Sequence, residues 1–153
     1  MPRPARELLR DGVFHVTARA VFELPLFMDD ADRHAFIHVM RQLEKRHHVR
    51  CRGYCLMVSH YHLLLEGRVE DLRVFMQRLN GRYAQRFNRR HNRHVFGDRY
   101  SARAVVSEGQ LDEAREYIGA NPWKSGLIAE GRPWPWVWFD DGPAGAVEGS
   151  GTG

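Results

Sequence analysis

The chain has 153 residues, 43% of them hydrophobic and 11% aromatic, and its 23 Lys+Arg against 19 Asp+Glu leave a formal charge of +4. That length and apolar content support one compact domain with a real core and exclude a wholly disordered chain. The longest uncharged stretch, residues 53–65, contains Ser59, His60 and His62 and falls short of the about 20 apolar residues of a membrane span, and the basic start MPRPARELLR lacks the apolar run of a signal peptide, so neither is expected.

Residues 13–22, VFHVTARAVF, are β-branched and aromatic in rough alternation and predict a strand. Pro25 and the acidic pair Asp29-Asp30 separate it from a helix over 31–47, where Phe36, Ile37, Met40 and Leu43 recur at helical spacing and Asp29 or Asp30 caps the start. Residues 49–56 and 59–66 predict two strands, joined so closely that they form a hairpin. Cys51 and Cys55 fall in the first of them, about 13 Å apart at the rise of a strand, too far for a disulfide, and are expected as buried thiols in a reducing compartment.

A second helix over 69–90 turns Leu72, Phe75, Met76, Leu79, Tyr83 and Phe87 inward. A fourth strand is expected over 100–107, and a third helix over 111–120, stopped by Asn121-Pro122. The order β-α-β-β-α-β-α predicts an α+β fold of the ferredoxin-like (RRM-like) split βαβ kind with one added C-terminal helix. The single domain is expected over 1–139. All four tryptophans lie among prolines between 123 and 138 and predict a strap packed on that domain, with base stacking as the other reading. Residues 140–153, largely GPAGAVEGSGTG, have no core-forming content and are expected to be disordered.

The charge is unevenly placed. Residues 1–67 carry a net +2, residues 68–103 a net +7 and residues 104–153 a net −5. Only Lys45 and Lys124 are lysines, and the arginine bias suits bidentate contact with phosphate, although the codon usage of a GC-rich genome gives the same bias. On the second helix Arg78, Arg82 and Arg86 recur every four residues, and Arg89, Arg90 and Arg93 extend the run. No acid occurs between Asp71 and Asp98, whereas a merely solvated face would mix signs, so a phosphate backbone is the expected partner.

His60-Tyr61-His62 is the sharpest local feature. On a strand, residues i and i+2 project to one face, so both imidazoles can meet one metal ion, or they can be two ordinary surface histidines. His47-His48 and His91/His94 are rival pairs, the second of them inside the arginine-rich stretch whose charge opposes a cation. In the third helix Leu111, Ala114 and Ile118 form the core stripe, while Tyr117 and Asn121 share a different face. They pair a nucleophile with an amide oxygen one turn later, or else a packing tyrosine with a C-capping asparagine.

Taken in order, these segments resemble the IS200-like Y1 (HUH) transposase superfamily, and most closely its REP-associated tyrosine transposases, over about residues 5–139. MVSHYHLLLEG resembles the His-hydrophobic-His motif, GRYAQRFNRRHNRHVFGDRYSARAV the long basic helix and following strand, EYIGANPWKSGLI the segment holding the nucleophilic tyrosine, and WPWVWF the closing aromatic segment. Val58 and Ser59 stand where the family usually has Pro and a polar residue.

The resemblance implies that His60 and His62 bind a divalent ion, Mg2+ or Mn2+, with Asn121 at the third-ligand position, the imidazoles favouring manganese. It implies Tyr117 as nucleophile, ahead of Tyr83 and Tyr100, forming a 5′-phosphotyrosine and a free 3′-hydroxyl. The implied substrate is single-stranded DNA folded into a hairpin, held by Arg78, Arg82, Arg86, Arg89, Arg90, Arg93, Arg99 and Arg103. A bacterial cytoplasmic, nucleoid-associated protein is expected. Related enzymes act as monomers or as homodimers that exchange helices, and both stay open. So do two other readings: a non-catalytic nucleic-acid-binding module of the same fold, and a domesticated hairpin-binding relative.

Overall fold

A computed structural model describes residues 12–140. Strand β1 (Gly12–Arg19) leads through a 3-10 turn (Val21–Glu23) to helix α1 (Asp30–Arg46). Strands β2 (Val49–Leu56) and β3 (His60–Gly67) form the hairpin, followed by helix α2 (Val69–His91) and strand β4 (Ser101–Val105). Helix α3 (Glu108–Lys124) and a short strand β5 (Val137–Phe139) complete the fold. The sheet order is β4-β1-β3-β2-β5, with every neighbouring pair antiparallel. The first four strands and first two helices make the expected split βαβ.

Local chemistry sets the helix ends. The Asp29 side chain accepts from the Asp32 amide at the start of α1, with Asp30 and Asp32 in the first turn and Lys45 and Arg46 in the last, as the helix dipole favours. Helix α2 ends on Asn92, which takes the left-handed conformation at φ 56°.

Alternation along the strands splits the sheet into two faces. Phe14, Val16 and Ala18 of β1 and Tyr61, Leu63 and Leu65 of β3 join the main core beneath α1 and α2, together with Phe36, Met40, Phe75, Leu79, Tyr83 and Phe87. On the opposite face Cys55, Met57 and Leu64 meet Ile118 of α3, with Leu111 and Ala114 alongside. The stripe expected for the third helix is thus the one it buries. A bulge at Arg52 shifts the β2–β3 register, so Cys51 enters the main core while Cys55, four residues on, packs beneath α3. Both cysteines are free and buried, and desolvation pushes each thiol up to about 12.

The C-terminal part departs from expectation. Helix α3 starts three residues earlier than residue 111 and runs through Pro122 to Lys124. Proline removes its amide donor and crowds the carbonyl one turn back, but here it sits in the last turn, which other bonds close: Ser125 N–H to the Asn121 carbonyl, and Leu127 and Ile128 N–H to the Pro122 carbonyl. The tryptophan strap does pack on the domain, but it also contributes β5, whose residues 137–139 pair with 53–55 of β2. Trp134 donates its indole N–H to the Leu56 carbonyl at 2.9 Å, and Arg33 lies over the rings of Trp134 and Trp136. Asp140, placed in the tail by composition, is only 8% exposed and receives Arg52 at 2.9 Å and Arg115 of α3 at 2.8 Å. The rest of the expected tail, and residues 1–11, lie outside the described residues. No described helix is long and apolar enough to cross a membrane.

Gly53 is the close approach that lets β5 dock. A Cβ there would stand 2.3 Å from Cδ1 of Phe139 and 3.2 Å from the Trp138 carbonyl. Gly53→Ala is therefore expected to destabilise the fold by about 1–3 kcal/mol, read as a lower urea midpoint with an unchanged slope.

Candidate active site

The outer face of the sheet carries the polar residues that the core face rejects. The β1–β3 register sets Thr17 opposite His62 and Arg19 opposite His60, while the β1–β4 register sets His15 opposite Arg103 and Thr17 opposite Ser101. Helix α3 crosses the same face and brings Tyr117 over this row. A cavity of about 620 Å³ opens between them, walled by His15, Thr17, Arg19, His62, Arg103 and Tyr117 among others.

His62 lines this cavity and His60 does not, but the rings lie close together. His60 and His62 lie 5.0 Å apart between centroids and nearly perpendicular. The Tyr117 ring stands edge-on to His62 at 5.9 Å and to His15 at 6.0 Å, and the residue is 56% exposed, so a substrate can reach its hydroxyl. His62 is 3% exposed. Its Nδ1 lies 3.0 Å from His15 Nε2 and 3.3 Å from Thr17 Oγ1, whereas its Nε2 is buried with no hydrogen-bond partner.

A proton on Nε2 would be a buried donor without an acceptor, while a proton on Nδ1 has two acceptors in reach. The Nδ1–H tautomer is therefore favoured, and it leaves the Nε2 lone pair free. Desolvation, then the charges of nearby groups including Arg19, lowers His62 to about 3 and His60 to about 4. Burial, followed by Arg103, lowers His15 as well. A cation ligand requires a neutral imidazole with a free lone pair: both rings are held neutral, and His62 Nε2 has no other partner, so the pair fits a divalent metal. Among the described residues no three His, Cys, Asp or Glu side chains gather around one point, so a ligand set here needs an amide, hydroxyl or substrate oxygen.

Asn121 lies one turn beyond Tyr117 on the same helix. Its Nδ2 donates to the Tyr117 carbonyl at 3.0 Å, and it is not part of the cavity wall. The rivals have other roles. Tyr83 is fully buried and donates to the Leu26 carbonyl at 2.6 Å, and Tyr100 packs against the main core. His91 sits 2.8 Å from the Asp32 carboxylate, and His47 lies 3.3 Å from Arg78.

The arginines divide. Helix α2 packs beneath the sheet, on the face opposite Tyr117, so Arg78, Arg82, Arg86 and Arg89 belong to the other layer. Arg78 and Arg82 line a shallow cavity on that helix. Arg90 clamps Asp29 and Asp32 with bonds of 2.6–2.8 Å, and Arg93 donates to the Pro25 carbonyl while lying over the Phe87 ring. Arg103 lines the Tyr117 cavity and Arg99 the one beside it. Sequence reasoning missed His15 and Arg19. The signal was present, since His15, Thr17 and Arg19 alternate along a strand, but only the strand order shows that this row abuts His62.

Two measurements follow. Long-range 15N–1H correlation is expected to show His62 as the Nδ1–H tautomer at neutral pH, and His15→Ala to erode that preference. The unfolded chain takes up protons on His60 and His62 near pH 6.5, the folded chain only near 4 and 3, so stability is complete above about 6.5 and declines as pH falls toward 4. Urea midpoints should follow that slope, and His62→Gln should flatten it.

A family model described as "Transposase IS200 like" matches residues 11–121. No curated protein sequence matches the chain. Among solved structures, a REP-associated tyrosine transposase bound to a REP hairpin superposes with a TM-score of 0.71 at 13% identity, covering 84% of this chain and 76% of that one. A candidate transposase from Deinococcus radiodurans R1 superposes with a TM-score of 0.54 at 16% identity, covering 71% of this chain and 88% of that one. At these identities the structures show a shared fold, whereas the family match spans most of the chain: the protein belongs to the IS200-like transposase family.

Proposed function

We propose that this transposase cleaves and rejoins single-stranded DNA beside a hairpin, with Tyr117 as nucleophile and a divalent metal at His60 and His62. The carrying observation is the Tyr117 ring standing over His62, whose buried Nε2 has no other partner. The hairpin follows from the bound state of the solved REP-associated relative.

His60 and His62 would hold the ion through their ring nitrogens, and Asn121 Oδ1 is the oxygen proposed to join them. When bound, such an ion supplies positive charge that favours phenolate and eases charge build-up on the scissile phosphate. The chain does the rest. Arg19 and Arg103 anchor phosphates at the cavity wall. Tyr117 Oη, losing its proton, attacks phosphorus in line. The Tyr–O–P bond forms as the P–O3′ bond breaks, and the departing 3′ oxygen takes up a proton. A second 3′-hydroxyl reverses the step and rejoins DNA, so the phosphodiester energy is conserved and no nucleotide triphosphate is consumed. The exposed arginines of α2 would hold flanking DNA on the other layer. Free, buried thiols suit the bacterial cytoplasm, where DNA is at hand.

The test is incubation of the full chain with hairpin-bearing single-stranded DNA and Mn2+. A covalent adduct that survives denaturing gels is expected, absent in Tyr117→Phe and strongly reduced in His62→Ala. Wild-type protein that binds the hairpin tightly but forms no adduct would assign the chain to the non-catalytic hairpin-binding reading.

A further inference from the structure

The turn between β1 and α1 carries an unusual side chain. Phe22 is 88% exposed and sits at φ 55°, ψ 24°, the left-handed region that a bulky residue rarely adopts, and Glu23 follows at φ 55°. The turn is held on both sides. Ala20 N–H donates to the Ser59 carbonyl at 2.9 Å, Val21 N–H donates to the Val95 carbonyl at 2.7 Å, and Ala20 bridges to Phe96. Gly97 abuts Val21 so closely that a Cβ would stand 3.2 Å from its Cα. The clamped backbone thus presents the Phe22 ring to solvent, and the ring belongs to neither core cluster of the described residues.

What lies beside the ring gives it a ligand class. A second cavity of about 450 Å³ is walled by Phe22, Arg19 and Arg99. It shares Thr17, Arg19 and Ser101 with the Tyr117 cavity, so the two adjoin along β1 and β4. Glu23 and Asp98 stand on the same wall, so its formal charge cancels, and a polyanion would not be held there by charge alone. An exposed aromatic ring on a clamped backbone, sharing a cavity wall with two arginines and lying one cavity from Tyr117, is the chemistry that holds an unpaired base.

We propose that Phe22 is a stacking platform for an unpaired nucleobase of the strand whose phosphate enters the Tyr117 cavity. This rests on the single-strand cleavage reading above. Stacking captures a base only when it is out of a duplex, so Phe22 selects single strand over double strand without reading sequence, and fixes which phosphate lies under Tyr117.

The test measures affinity of the full chain for oligodeoxythymidine and for a blunt duplex of equal length. Phe22→Ala is expected to weaken single-strand binding by about 5- to 100-fold and leave duplex binding unchanged. Phe22→Trp retains wild-type affinity. The salt slope stays that of wild type in Phe22→Ala, because no phosphate contact is removed, and drops by about one in Arg99→Ala. A 2-aminopurine base placed in the single-stranded flank of a hairpin is quenched by wild type and not by Phe22→Ala. Phe22→Ala with unchanged affinity and intact Tyr117 adduct formation would overturn this inference alone, as would a variant that instead dissociates a dimer, making the face a subunit contact. A wild type that binds no single strand overturns it together with the reading beneath it.

Discussion

The pairing of β1 with β3 is the constraint on which the rest depends. Eight residue pairs run in register from Gly12↔Gly67 to Arg19↔His60. Because side chains alternate, this one register sends Phe14, Val16, Leu63 and Leu65 into the main core and His15, Thr17, His60 and His62 to the other face. A slip by one residue would bury the imidazoles among phenylalanines and leave leucines in solvent, so the hydrophobic effect that builds the core also fixes the site. The site needs no separate device to bring His15 to His62, since the antiparallel ladder places them two positions apart across the strands.

The position of Tyr117 has a different origin. Helix α3 fully buries Ile118 and Pro122 and partly buries Leu111 and Ala114, which is little apolar area to hold a seventeen-residue helix. The ionic cluster at Asp140 supplements it: one carboxylate receives Arg52 from the bulge of β2 and Arg115 from α3, with Arg50 at 3.3 Å. Such a cluster gives little net stability because desolvation offsets attraction, but it is directional. Arg115 lies two residues before Tyr117, so the cluster fixes the rotation and height of the helix. The bulge serves this arrangement twice, by aiming Arg52 at Asp140 and by sending Cys55 under Ile118.

Much of this was legible in the residues. Period-two and period-3.6 patterns in 13–22, 49–56 and 69–90 predict elements that form within a few residues of those bounds, and the His60/His62 spacing does put both rings on one face. The rest depended on partners distant in sequence. β5 is three residues long and exists only because Gly53 admits Phe139, so no periodicity could announce it. Pro122 reads as a stop, yet a helix tolerates it where the last turn is closed by Leu127 and Ile128. The arginine run reads as one surface, but tertiary contacts spend Arg90 on Asp29 and Asp32 and Arg93 on Pro25, and charge counts carry no record of such pairing.

The electrostatics of the site then follow from burial more than from net charge. His60 and His62 are too desolvated to become cations near neutral pH, so they cannot themselves attract a phosphate. Two arginines share their surroundings: Arg19 lowers His60 and His62 further, and Arg103 lowers the neighbouring His15. Positive charge and neutral imidazole lone pairs thus belong to different side chains on one face. That separation leaves the ring nitrogens neutral beside fixed positive charge, and Glu113 of the facing helix stands on the same cavity wall. The +7 of residues 68–103 thus does not gather at the Tyr117 cavity: one of its ten arginines, Arg103, lines that cavity, and it is set there by the β1–β4 register.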